Sequence, residues 1–135
     1  MTQTNSQGLI VKQSQQNVTD TCNKLISILQ EKGFKIFADI DHQAGAASID
    51  LSLAATRTII FGNPQGGTLL MQSAASASID LPLKISVYED QSNKQILIAY
   101  NDPQWLADRH QITDQQALVE KLTKALNAMT TAAAE

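Results

Sequence analysis

Apolar and polar positions along this chain follow two rhythms, and the switches between them mark out its elements. Leu9-Ile10-Val11 is a short apolar run, read as a first strand. Over residues 18–32 the period lengthens. Val18, Cys22, Leu25, Ile26 and Leu29 recur at helical spacing, while Asp20, Lys24, Glu31 and Lys32 fall on the wet side. Asn17 is a suitable N-cap, and Gly33 stands where a left-handed residue would close the helix. Residues 34–41 return to period two, with Phe34, Ile36, Ala38 and Ile40 on one face and Lys35, Phe37, Asp39 and Asp41 on the other. The alanine-rich stretch 43–49 is compatible with a short helix.

Residues 58–61 are β-branched or aromatic, with apolar side chains on both faces, the pattern of a central strand. Asn63-Pro64 ends it, and Gly66-Gly67 predicts a tight glycine-rich turn before helical turns over 68–73 and 74–78. The next strand alternates cleanly: Leu83, Ile85 and Val87 inward, Lys84, Ser86 and Tyr88 outward. A hairpin turn over 90–93 sends the chain back along 94–100. Asp102-Pro103 reads as an N-cap with proline at the first helical position, opening a short helix through Trp105 and Leu106 to Arg109-His110. Thr113 and Gln116 have capping-box spacing ahead of a last helix whose stripe is Leu118, Leu122, Ala125, Leu126 and Met129.

The order is β-α-β-β-β-β-α, with helical turns in the connections. Strands that follow one another and two long amphipathic helices predict an α+β two-layer sandwich with a mainly antiparallel five-stranded sheet. Residues 8–130 read as a single domain, with 1–7 and 131–135 as loose ends. Ile59 and Phe61 oppose Ile60, and Ile96 and Ile98 oppose Leu97 and Ala99. The second sheet face is therefore partly apolar and needs curvature, roofing turns or a second subunit, so a homodimer is expected.

Composition narrows the function classes. With 135 residues and 43% hydrophobic positions, the chain can bury a core without staples. Its net charge of −3 shows no basic cluster for nucleic acid. No run approaches the roughly 18 apolar residues of a membrane span. The lone Cys22 excludes an internal disulfide; it lies on the apolar stripe and is expected to be a packing residue. Residues 1–7 are polar, without the apolar core of a signal peptide, and the chain reads as cytoplasmic.

Candidate chemistry sits at element ends. His42, Asp41 and Asp39 end the second strand, Asn63 follows the third, Asp80 precedes the fourth, Asp102 follows the fifth and His110 ends a short helix. No pair of these has metal-ligand spacing within one element, and no serine occupies a Gly-x-Ser-x-Gly elbow. The bland role of Asp80 and Asp102 is the capping of turns and helices. Gly66, Gly67 and Thr68 could offer backbone N–H groups to an anion, but the loop has no lysine, so it is not the ATP-binding motif. Antiparallel pairing of the third, fourth and fifth strands would bring Asn63, Asp80, Tyr100 and Asp102 to one end of the sheet. His42 joins them only through a parallel crossover. The favoured class is a homo-oligomeric module binding a small molecule or anion; the alternative is an enzyme using His42 or His110 with a nearby carboxylate as general acid/base, or a metal-binding protein. No cofactor is implied.

Ile40-Asp41-His42, Phe61-Gly62-Asn63-Pro64, Gly67-Thr68-Leu69-Leu70-Met71, Asp80-Leu81-Pro82-Leu83-Lys84, Tyr88-Glu89-Asp90, Tyr100-Asn101-Asp102-Pro103 and Leu106-Ala107-Asp108-Arg109-His110 are similar, in order and spacing, to the family called domain of unknown function 302. The resemblance covers roughly residues 8–128. It implies a TATA-binding-protein-like arrangement of β-α-β-β-β-β-α and carries no established activity. Two positions depart from the pattern: Ala55 stands where proline is expected, and Asp50 where glycine is.

Overall fold

The computed structural model describes residues 2–135. Both long helices form where the apolar stripes require them. Helix α1 (Val18–Glu31) buries Val18, Cys22, Leu25 and Leu29. Asn17 caps it, its Oδ1 accepting from the Asp20 N–H at 2.7 Å. Gly33 closes it at φ +87°, and the Phe34 N–H then donates to the Leu29 carbonyl at 3.0 Å. This is the left-handed ending read from the sequence. Helix α5 (Gln116–Ala134) buries Val119, Leu126, Met129, Thr130 and Ala133, while Leu118, Leu122 and Ala125 pack half-buried beside the core.

The strands are β1 (Thr2–Thr4), β2 (Leu9–Ser14), β3 (Lys35–Asp41), β4 (Thr56–Gly62), β5 (Leu83–Glu89) and β6 (Ile96–Asn101). They form one antiparallel sheet in the order β1-β2-β6-β5-β4-β3. Helices α1 and α5 pack against each other on one face, α1 over β3, β4 and β5 and α5 over β2. Between the layers Leu25, Leu29, Ile59, Phe61, Ile85, Ile98 and Leu126 are essentially inaccessible. The architecture is α+β, with six strands rather than five.

The sixth strand is β1, in the stretch expected to be loose. All three of its residues are exposed, so no apolar alternation could announce it. It is held by backbone pairing with β2 and by a turn in which Asn5 Oδ1 accepts from the N–H groups of Gln7 and Leu9. The other end also differs from expectation, since α5 continues to Ala134 with Ala133 buried.

The faces of β3 differ too. A bulge between Ile36 and Ala38 shifts the register, so Ile36 pairs with Phe61 but Asp39 pairs with Ile59. The extra residue moves Asp39 to the helix side and Ala38 and Ile40 to the other, breaking the single apolar face read over 34–41. The glycine-rich turn is instead the opening of helix α3 (Pro64–Ser73), capped by Asn63 Oδ1 on the Gln65 N–H at 3.0 Å. A 3-10 segment (Ala75–Asp80) follows. Helices α2 (His42–Ala47) and α4 (Pro103–Arg109) complete the chain, capped by Asp41 and Asp102. The Thr113–Gln116 capping box does not form: α5 begins at Gln116 behind Gln115, with no side-chain cap. Asp50, where the family pattern wants glycine, takes the left-handed φ of +59°, a conformation that Asp tolerates and glycine adopts freely.

Candidate functional site

Helix α3 leaves β4 at the sheet end where β5 begins, and with α5 it walls a cleft of about 790 Å³. That size is ordinary for a small-molecule site, roughly 300–1,000 Å³. Its lining is mainly apolar, with Phe34, Leu70, Met71, Leu83, Leu122 and Met129 among the side chains facing it. Phe34 stands edge-on to Phe61, the ring centroids 5.5 Å apart, which ties this wall to the core. Asn63, Gly66, Gly67 and Thr68 all lie on the lining.

Gly66 and Gly67 have no backbone reason to be glycine. Neither has positive φ, and both stand inside an α-helix, where glycine costs about 1 kcal/mol relative to alanine. Neither is crowded: a Cβ on Gly66 would meet nothing closer than Leu118 Cδ1 at 3.8 Å, and one on Gly67 nothing closer than Met71 Cε at 3.9 Å. What the two glycines provide is room in the cleft wall.

The remaining sequence-predicted residues divide between the two ends of the sheet. The ends of β4 and β6 and the start of β5 lie together, as the registers Phe61–Leu83 and Ile85–Tyr100 require. Asn63, Asp80, Tyr100 and Asp102 thus belong to one end, but no hydrogen bond joins any two of them among the described residues. Asn63 and Asp102 are helix caps. Tyr100 is buried between the layers, and burial raises its phenol pKa. His42 is at the opposite end, because β3 and β4 form a plain antiparallel pair; its Nε2 lies 3.0 Å from Thr58 Oγ1. The condition for its joining the others, a parallel crossover, is not met.

Asp80 has found different partners. Arg109 donates to both its oxygens at 3.0 and 3.1 Å, and His110 Nε2 lies 2.5 Å from Oδ2. His110 Nδ1 is 2.8 Å from Ser76 Oγ. A carboxylate only accepts, so in the neutral ring Nε2 carries the proton and Nδ1 accepts from the Ser76 hydroxyl. This serine–histidine–aspartate relay was not visible in the sequence, because Ser76 sits in an unpatterned stretch 34 residues before His110. It pins the 3-10 segment to α4. Ser76 and His110 do not line the cleft.

A second unread feature is Lys12, buried on β2 beneath α5. Its Nζ donates to the Asn127 carbonyl at 2.9 Å, to Asn127 Oδ1 at 2.7 Å and to Thr131 Oγ1 at 2.9 Å. Burial lowers its pKa. All three donors are used, so it bolts strand to helix rather than facing a ligand. Asp39 and Arg57 form an ion pair at the β3 edge, and their hydrogen bond raises the guanidinium pKa. Among the described residues no three His, Cys, Asp or Glu side chains converge as a metal site would need.

The family model described as domain of unknown function DUF302 matches residues 10–129. This chain belongs to the DUF302 family. A DUF302 protein of known structure, an uncharacterized conserved protein from Bacillus stearothermophilus, superposes with a TM-score of 0.83. The match covers 93% of this chain and 98% of that one at 16% identity, and so establishes the shared fold alone. Among named proteins, fluoride-specific ion channel FluC 1 of Brucella suis is 40% identical over 105 residues. FluC 2 of Brucella melitensis is equally similar over the same length. The match takes in 78% of this chain but only 41% and 38% of those two proteins, so this DUF302 chain resembles a part of them. No helix among its described residues is long and apolar enough to cross a membrane.

Proposed function

We propose that this DUF302 chain is a cytoplasmic, homo-oligomeric binding module whose small ligand sits in the cleft between α3 and α5. The observation that carries the reading is the pair Gly66-Gly67: helix stability is given up at two successive positions whose common effect is space on the wall of an apolar cleft. Native mass spectrometry of protein purified from its own host tests the reading. A retained small molecule is expected, lost when Gly67→Leu fills the cleft. Equal retention by both forms places the ligand elsewhere.

Support for the homo-oligomer comes from the sheet face turned away from α1 and α5. Ile40 is 40% exposed there, and Ile49 and Leu51, in the connection to β4, are more than 60% exposed. A dimer interface there should bury more than roughly 1,000 Å². Light scattering giving a monomer mass at high micromolar concentration rejects it.

The enzyme reading keeps one specific support, the Ser76–His110–Asp80 relay, in which His110 could act as base toward an accessible serine hydroxyl. Turnover of a p-nitrophenyl ester that falls to background in both Ser76→Ala and His110→Gln would favour it. Turnover unchanged in either variant removes it.

A further inference from the structure

The charged groups on the cleft lining are two, Lys32 and Lys121, and both are cations in a chain whose net charge is −3. Lys32 follows α1 and Lys121 stands on α5, so the cleft has a positive group from each long helix. Both are exposed, as rim residues are, with aliphatic stems that can lie along apolar walls while the ammonium groups stay in water. Neither is in an ion pair: among the described residues those pairs are Asp39–Arg57, Asp80–Arg109 and Asp80–His110, and none of these residues lines the cleft. No carboxylate lines the cleft to neutralise them.

An apolar interior beneath two uncompensated cations selects by chemistry. We infer that the ligand is an amphipathic anion, an apolar body that fills the space between Leu70, Leu83, Leu122 and Met129 and a single carboxylate or phosphate head held at the rim by Lys32 and Lys121. The inference rests on the cleft being the ligand site, as proposed above, and adds the class of ligand. A neutral apolar molecule would leave both ammonium groups without a partner. A polar anion with no apolar body would leave the walls wet. A cation would meet two like charges. Met71 and Met129, flexible and polarisable, let the walls adapt to chain shape and favour recognition of a class over a single compound.

The test is calorimetric titration of the full chain with octanoate, decanoate and monodecyl phosphate below their micellar concentrations, and with 1-octanol as the uncharged control. Octanoate should bind at least about tenfold tighter than 1-octanol at low salt, with the gap narrowing as salt is raised. Decanoate should bind on the order of tenfold tighter than octanoate, from two more buried methylenes. The tighter of decanoate and monodecyl phosphate identifies the head. Lys32→Gln/Lys121→Gln should bring octanoate to the level of 1-octanol without moving Tm, since both side chains are exposed. Equal binding of octanoate and 1-octanol by the unmodified chain, or no effect of the double variant, overturns the anion while leaving the cleft reading standing. Binding of none of the four probes overturns both.

Discussion

His110 Nε2 lies 2.5 Å from Asp80 Oδ2, joining the last residue of the 3-10 segment to the residue that caps α4. The two side chains are 6% and 12% exposed, so the bond is made largely out of water. Removing the imidazole would strand a mostly buried carboxylate on the half-exposed Arg109 alone. His110→Ala should therefore cost about 1.5–3 kcal/mol, the range for a hydrogen bond to a charged group. Arg109→Ala should cost no more than about 1 kcal/mol. Urea melts that rank the two the other way would show that Arg109, not His110, holds Asp80.

Two glycines with nearly the same φ should respond very differently to alanine. Gly8, at φ +81°, lies against Trp105, and a Cβ there would come within 2.2 Å of Cγ of the indole. Gly33, at φ +87°, has nothing within 4 Å of that position. Gly33→Ala should cost about 1 kcal/mol, the conformational penalty alone. Gly8→Ala adds displacement of a packed tryptophan and should cost at least about twice that. Similar melting shifts for the two variants would mean that Trp105 moves aside freely.

The sheet and the long helices were legible because burial is one-sided and leaves a period. Leu83, Ile85 and Val87 or Val18, Cys22, Leu25 and Leu29 could hardly be read another way. What escaped has no period. β1 is exposed on every residue and rests on main-chain bonds. The bulge at β3 inserts one residue and inverts the faces beyond it, so correct local alternation led to the wrong side for Asp39 and Ile40. Lys12 follows Ile10 onto the helix face, where only Asn127 and Thr131, more than a hundred residues on, explain a buried ammonium. Of the site, the cleft residues Asn63, Gly66, Gly67 and Thr68 could be named from the glycine cluster, but not their reason. The glycines looked like a turn, and only Leu118 and Leu122 of α5, which line the same cleft, reveal a wall. The relay needed the 3-10 segment and the end of α4 to meet, and no local spacing encodes that.

Cys22 offers a pH-dependent prediction. It is fully buried, and burial raises its thiol pKa to about 11. The folded state therefore prefers the neutral thiol. The stability this contributes is complete below the ordinary thiol pKa of 9.0, that of the unfolded chain. It is lost as pH rises through the folded value near 11. At pH 7, Cys22→Ala should lower stability by on the order of 1 kcal/mol through lost packing. Between pH 9 and 11 the gap between variant and parent should shrink. A gap independent of pH would mean that the thiolate is tolerated inside. Native protein at neutral pH should also react with iodoacetamide far more slowly than unfolded protein.

Gly66→Ala separates the needs of the fold from those of the cleft. Gly66 is the third residue of α3, where alanine is favoured over glycine by up to about 1 kcal/mol, and the added methyl would find only ordinary contact with Leu118. Folding therefore has no objection to alanine at this position. The variant should be as stable as the parent or up to about 1 kcal/mol more stable, with Tm raised. The same methyl narrows the cleft from the α3 side, so a ligand filling the space should bind more weakly even as the protein becomes harder to unfold. Opposite signs in a melting curve and a titration on one purified sample are the expected pair of results. If stability falls instead, Gly66 serves the helix start and not the cleft. If stability rises and ligand binding is unchanged, the occupant does not reach this wall, and the space must be used nearer Leu83 and Met129.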